Sequence, residues 1–200
     1  MIFGGSKIRG GGLVLLVLLS AGVVHAAGPP PALTLPDLFA RLAARSHMRA
    51  RFVETKTLAV LKTPLRLEGT LEFRRPAYLA KHVERPAPED YLIDGGSVTV
   101  SKPAAGQKIE LALADYPALE AFAESLRAPL AGDLAGLSRY WRPSLGGSRK
   151  RWLLALAPVR PELVAVIRGV RLEGEDDRLL RMEIEEAGGD HASLSFEPLP

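Results

Sequence analysis

Between residues 65 and 73 every second position is apolar or glycine: Leu65, Leu67, Gly69, Leu71 and Phe73 interleave with Arg66, Glu68, Thr70 and Glu72. Successive side chains of a strand point to opposite faces, so a period of two sorts these residues onto a dry and a wet face. A helix would scatter them around its circumference, and the segment therefore reads as an antiparallel strand with one solvated side. The same period returns along the chain. Tyr91 and Ile93 lead to Asp94-Gly95-Gly96-Ser97, a tight hairpin turn, and Val98 and Val100 resume the alternation. Ile109, Leu111 and Leu113 predict another half-buried strand. Leu180, Met182 and Ile184 alternate with Arg181, Glu183 and Glu185; Gly188-Gly189-Asp190 turns the chain, and Ala192, Leu194 and Phe196 continue. The stretch from Trp152 to Ala157 is apolar on both faces, which predicts a strand buried on both sides. Short alternating strands joined by Gly-rich turns define a mainly β chain with some α. The expected fold is one strongly curved antiparallel sheet, an incomplete β-barrel.

Three segments depart from this period. Thr34 is an N-cap with Asp37 in the capping-box position, and Leu35, Leu38, Phe39, Leu42 and Ala43 follow at helical spacing, predicting a helix over 35–46. Pro117 suits a helix start, Leu119, Phe122, Ala123 and Leu126 form an apolar stripe, and Pro129 is expected to end that helix. Asp133 can cap a shorter helix carrying Leu134, Leu137 and Tyr140. Helices set into a run of strands have the mouth or concave face of the sheet to cover, so they are expected to form a helical lid.

The N-terminus predicts export from the cytoplasm. Lys7 and Arg9 precede an apolar run from Leu13 to Val24, and Val24-His25-Ala26 offers small or apolar residues at the cleavage positions. This is the layout of a secretory signal peptide over residues 1–26, with the run too short for a spanning helix of roughly 20 residues. Gly28-Pro29-Pro30-Pro31 then forms a stiff spacer, and residues 27–200 are expected to make a single domain in the periplasm. Without Lys7 and Arg9, 24 of the 26 basic residues remain against 23 acidic ones, so the mature chain is close to neutral. No basic run with interleaved aromatics suggests a nucleic-acid groove, and Arg149-Lys150-Arg151 reads as a solvated hairpin. The chain contains no cysteine, so its core alone must hold it, and it lacks the acceptor for N-terminal lipidation. A soluble monomer is expected.

Catalysis needs a nucleophile, a base and a means of orienting them. His47, His82 and His191 of the mature chain lack metal-ligand spacing, no Gly-x-Ser-x-Gly elbow occurs, and Ser148 and Ser193 read as turn and strand residues. Glu54, Glu68 and Glu72 are candidate acid–base carboxylates, but Glu68 and Glu72 fall on the solvated face of their strand. No catalytic residue, metal site or cofactor is expected.

The segment Gly69-Thr70-Leu71-Glu72-Phe73-Arg74-Arg75-Pro76-Ala77-Tyr78-Leu79 resembles the second-to-third-strand segment of LolA-type outer-membrane lipoprotein carriers, with its Gly-x-Leu-x-aromatic-x-Arg-Pro pattern. Asp94-Gly95 followed by Val98, and a first helix leading to Phe52 and polar Glu54, are similar to that family's next hairpin and its opening. The resemblance implies an unclosed barrel with a helical lid over an apolar cavity. It also implies that Arg75 bonds lid or loop carbonyls and helps hold the closed form, work that suits a guanidinium with its five fixed donors. Leu79 stands where the family often has a Phe tied to cargo retention. The expected cargo-binding and lid residues are Arg75, Leu71, Phe73, Leu79, Leu111, Leu119, Phe122 and Leu126. The expected partners are an acylated lipoprotein or lipid cargo, an inner-membrane donor complex and an outer-membrane acceptor. The other function considered on the same fold is a regulatory module that senses lipid or lipoprotein. A lipid-processing enzyme is the third.

Overall fold

The computed structural model describes residues 32–200. The expected signal peptide and the Gly-Pro spacer lie outside the described residues. The chain runs through α1 (Leu35–Leu42), β1 (His47–Thr57), β2 (Leu65–Arg74), β3 (Tyr78–Arg85), β4 (Glu89–Asp94), β5 (Ser97–Lys102) and β6 (Gln107–Ala112). There follow α2 (Pro117–Ala131), α3 (Leu134–Ser138), β7 (Trp141–Ser148), β8 (Arg151–Pro158), α4 (Pro161–Val164), β9 (Ile167–Glu175), β10 (Arg178–Glu186) and β11 (His191–Pro198). All eleven strands belong to one curved, unclosed sheet in the order β6-β5-β4-β3-β2-β1-β11-β10-β9-β8-β7, so β6 and β7 are its edges. Every neighbouring pair is antiparallel. Two meanders are thus joined along a seam, where β1 pairs with β11 from Ala50↔Pro198 to Thr57↔His191.

The alternation read from the sequence determines which side chains enter the core. On β1, Ala50, Phe52 and Glu54 are buried, and on β2 Gly69, Leu71 and Phe73 are buried. Gly69 faces Phe52 across the β1–β2 pair, and a Cβ there would stand 1.9 Å from the His82 carbonyl oxygen. The strand register shifts at this point, between Glu68 and Gly69, and the close backbone approach requires glycine. The β4–β5 hairpin closes as expected through Gly95 and Gly96, with Gly95 at φ 57.

Five expectations are corrected. The first helix ends at Leu42, not 46, because Ser46 already gives its carbonyl to the Arg75 N–H and His47 opens β1. Pro129 does not end α2, which runs on to Ala131 and closes at Gly132 with φ 80. Ala128, Pro129 and Leu130 are all buried, so packing holds a turn that the proline ring weakens. The stretch 152–157 is buried on one side only: Trp152, Leu154 and Leu156 face in, whereas Leu153 is 38% exposed. Ile109 is 53% exposed on edge strand β6, and Leu113 lies beyond that strand in a short 3₁₀ turn. On β10 a bulge between Leu179 and Arg181 shifts the phase, so Leu179 is buried while Leu180 is only half-buried.

The helices pack against one another and against the inward-facing side chains of the strands. Thr34 and Asp37 form the expected capping box on α1, which buries Leu38, Phe39 and Leu42. Asp133 caps α3 by accepting from the Gly136 N–H at 2.7 Å. Trp141, at the start of β7, donates its indole N–H to the Ala121 carbonyl of α2 at 2.9 Å, a buried bond that ties this helix to the sheet.

Candidate functional site: a cavity under the second helix

Between α2 and the inward face of the strands lies a cavity of about 410 Å³. Its roof is the α2 stripe of Leu119, Phe122, Ala123 and Leu126, together with Val166 and Ile167 after α4. Its walls come from both meanders: Leu71, Leu79, Ile93 and Val98 on one side of the seam, Met182, Ile184 and Leu194 on the other. The inward alternation of β2, β3, β4, β5, β10 and β11 supplies apolar residues at this depth, and the sheet's curvature leaves space that α2 does not fill. Phe122 is 36% exposed and Val166 44%, so the rim is apolar as well. Among the described residues no helix is long and apolar enough to cross a membrane.

Of the residues expected to hold cargo, Leu71, Leu79, Leu119, Phe122 and Leu126 line this space. Phe73 and Leu111 do not: Phe73 is fully buried in the core, and Leu111 is half-buried on edge strand β6. Arg75 also lies away from the cavity, in the turn between β2 and β3. Its Nη1 donates to the Ala43 carbonyl at the C-terminal end of α1 at 2.9 Å, and its backbone N–H donates to Ser46 at 2.9 Å. Arg45, in the same connection, is ion-paired to Asp177 in the β9–β10 turn. This bond raises the Arg45 pKa and lowers that of Asp177. The end of α1 is therefore fastened to both meanders.

One patch of the strand wall is charged. Glu54, only 3% exposed, bonds the Lys81 ammonium and lies 3.5 Å from Lys56 Nζ. Lys81 sits 4.9 Å from the Phe52 ring centroid and 5.9 Å from that of Tyr91. Burial pulls the Lys81 pKa below the ordinary lysine range, against the opposing attraction of Glu54. Tyr91 donates its hydroxyl to Glu89 at 2.6 Å, and Lys102 pairs with Glu89 at 3.1 Å. Burial, followed by that bond, pushes Tyr91 up to about 12, and the same bond lowers the Glu89 pKa. Sequence reasoning grouped Glu54 with two surface carboxylates and missed Lys81. The signal was nonetheless present: Glu54 is in phase with Ala50 and Phe52, and Lys81 with Leu79 and Val83, so both had to point inward.

An open antiparallel sheet that curls around an apolar cavity and is roofed by helices defines an unclosed half-barrel. Residues 27–194 match the family described as outer membrane lipoprotein carrier protein LolA-like, and the chain belongs to that family. A search of curated proteins finds no match. Solved structures with a similar fold include the LolA superfamily protein NE2245 from Nitrosomonas europaea, at 12% identity and a TM-score of 0.43, covering 83% of this chain and 92% of that one. A putative outer membrane lipoprotein-sorting protein domain from Vibrio parahaemolyticus gives 9% identity and a TM-score of 0.44, covering 81% of this chain and 89% of that one. The MucA/MucB complex of Pseudomonas aeruginosa gives 17% identity and a TM-score of 0.42, covering 81% of this chain and 55% of that one.

Proposed function

We propose that this protein is a periplasmic carrier that houses the acyl part of a lipoprotein or other lipidated cargo and shuttles it towards the outer membrane, without a catalytic step. It would load from an inner-membrane donor and deliver to an outer-membrane acceptor. The observation that carries this reading is the apolar-walled cavity of about 410 Å³ between α2 and the sheet. Such a volume lies within the range of roughly 300–1,000 Å³ typical of small-molecule sites.

The physical logic is retention without trapping. Burying hydrocarbon is worth about 0.8 kcal/mol per methylene, so a chain of ~16 carbons gains on the order of 10 kcal/mol in a well-fitted site. Each ~1.4 kcal/mol of that gain slows release tenfold, and a shuttle must give up part of it. An imperfectly filled cavity under a movable roof does so. Arg75, by holding α1 to the β2–β3 turn, is assigned the role of biasing the empty protein towards closure.

The reading is tested by native mass spectrometry of the protein isolated from the periplasm, followed by incubation with acceptor vesicles. The expected result is a bound acylated species that leaves for the vesicles and is absent from a Leu194→Trp variant, whose indole occupies the cavity. A wild-type protein that carries no lipid and takes none up refutes the carrier. Lipid that stays bound in the presence of vesicles refutes the shuttle step.

A further inference from the structure

The charged patch in the cavity wall is not neutral. Two ammonium groups, Lys81 and Lys56, share one carboxylate, Glu54. The neighbouring Glu89 is already engaged by Lys102 and the Tyr91 hydroxyl. Glu186 reaches the cavity lining but is exposed, where water and salt screen it. Lys56 is itself 38% exposed and stands at the cavity rim, whereas Lys81 is the more buried ammonium, so the two lysines outnumber Glu54 by one charge where the cavity meets solvent.

Fold stability does not call for these charges. Replacing a buried ion pair by apolar residues of similar volume is often neutral or stabilising. A wall otherwise built from Leu71, Leu79 and Ile93 would accept leucine and methionine at positions 54 and 81. The Lys81 ammonium has three donors, and Glu54 is the one hydrogen-bond partner it has among the described residues. Volume sets a second limit. At about 410 Å³ the cavity is between two and three times the roughly 150 Å³ that takes up benzene, room for one hydrocarbon chain and not several.

We infer that the cavity is built for a single-chain amphiphile with an anionic headgroup, a carboxylate or phosphate, seated on Lys81 and Lys56 with its tail under α2. This rests on the carrier reading above and narrows it from acyl cargo in general to a charged, single-chain class. The incoming anion supplies the missing counter-charge and shares the ammonium donors with Glu54. Anion and tail thus report on different parts of one cavity.

The test compares palmitate, 1-palmitoyl lysophosphatidate and the uncharged monopalmitoylglycerol, titrated into wild-type protein purified from the periplasm and stripped of lipid. The same titrations are made with Lys81→Met, in which Lys56 and Glu54 balance, and with the triple variant Glu54→Gln/Lys56→Met/Lys81→Met, which removes all three charges. Charge-assisted hydrogen bonds predict that the wild type binds an anion about tenfold more tightly than the monoglyceride. Both variants should lose that preference and keep their affinity for monopalmitoylglycerol, which shows the cavity to be intact. A preference for palmitate identifies a fatty-acid headgroup, and one for lysophosphatidate a phosphate. Equal wild-type affinity for all three ligands, or a preference that survives in both variants, overturns the inference and leaves the carrier standing. No binding of any of the three removes both.

Discussion

Removing the Arg75 side chain tests how α1 is held. In Arg75→Leu the Nη1 bond to the Ala43 carbonyl is lost, while the backbone bond to Ser46 remains. A net hydrogen bond of this kind is worth about 1 kcal/mol, and a cation at a helix C-terminus adds roughly 0.3–1 kcal/mol. Solvent reaches this bond, so the lower end of that range, about 1 kcal/mol in all, is expected. The opening equilibrium of α1 should then rise about fivefold, and the melting temperature of a domain of this size should fall by only about 2–4 °C. Amide hydrogen exchange reads the local effect directly, because the α1 N–H groups of Leu38 and the cap residue Ala43 are bonded to Thr34 and Phe39. Faster exchange should be confined to residues 35–43, with β10 and β11 unchanged, and lipid transfer to vesicles should speed up. Arg75→Lys, which keeps the charge but loses the planar fork, should fall between. Unaltered α1 exchange with unaltered transfer would refute the assigned role. Uniform loss of protection across the sheet would show that Arg75 supports the whole fold and does not bias closure.

Three further outcomes follow from particular contacts. Trp141→Phe removes the indole bond to the Ala121 carbonyl and should cost about 1 kcal/mol; α2 amides should exchange faster and bound lipid should dissociate sooner, and unchanged α2 exchange would contradict the tether. Gly69→Ala places a methyl group 1.9 Å from the His82 oxygen and should lower stability by roughly 1–3 kcal/mol, seen as an earlier urea midpoint; an unshifted midpoint would deny the close approach. Bonds to Thr34, Tyr91 and Arg45 depress the pKa values of Asp37, Glu89 and Asp177 in turn. The stability these carboxylates provide is fully present above their ordinary values of 3.8, 4.5 and 3.8 and is lost as the pH falls through the lowered folded values. Thermal melts should be level from neutrality to the carboxylate range and then decline, and a melting point that holds throughout acid titration would exclude the linkage.

The strands were legible wherever one face is wet, because alternation then encodes the pleat directly, as in Leu67, Gly69, Leu71 and Phe73. The first helix was legible from Thr34 and Asp37, whose side chains make their capping bonds locally. Legibility failed where tertiary packing decides. Pro129 is a breaker by local chemistry, yet it sits inside α2 because its turn is buried. Leu153 looks like core by composition but faces solvent on β8. The division of the inward face into packed core and open cavity was not legible at all. Leu71 and Phe73 are two positions apart on one face of β2, and only Leu71 borders the empty volume. That difference depends on where α2 lies relative to the curving sheet, a distance that no spacing in the chain records.

The seam between β1 and β11 has a consequence for how the molecule is assembled. β2 reaches β1 through a short connection, but the opposite edge of β1 waits for a strand more than half the chain away. Contacts of such long sequence separation form slowly, and until then β1 presents a row of unpaired amide groups open to aberrant strand addition. Met182, Ile184 and Leu194 meet Leu71 and Leu79 only once that zipper shuts. A partly folded chain accordingly has two half-walls and no container, which makes the cavity a property of the finished molecule alone.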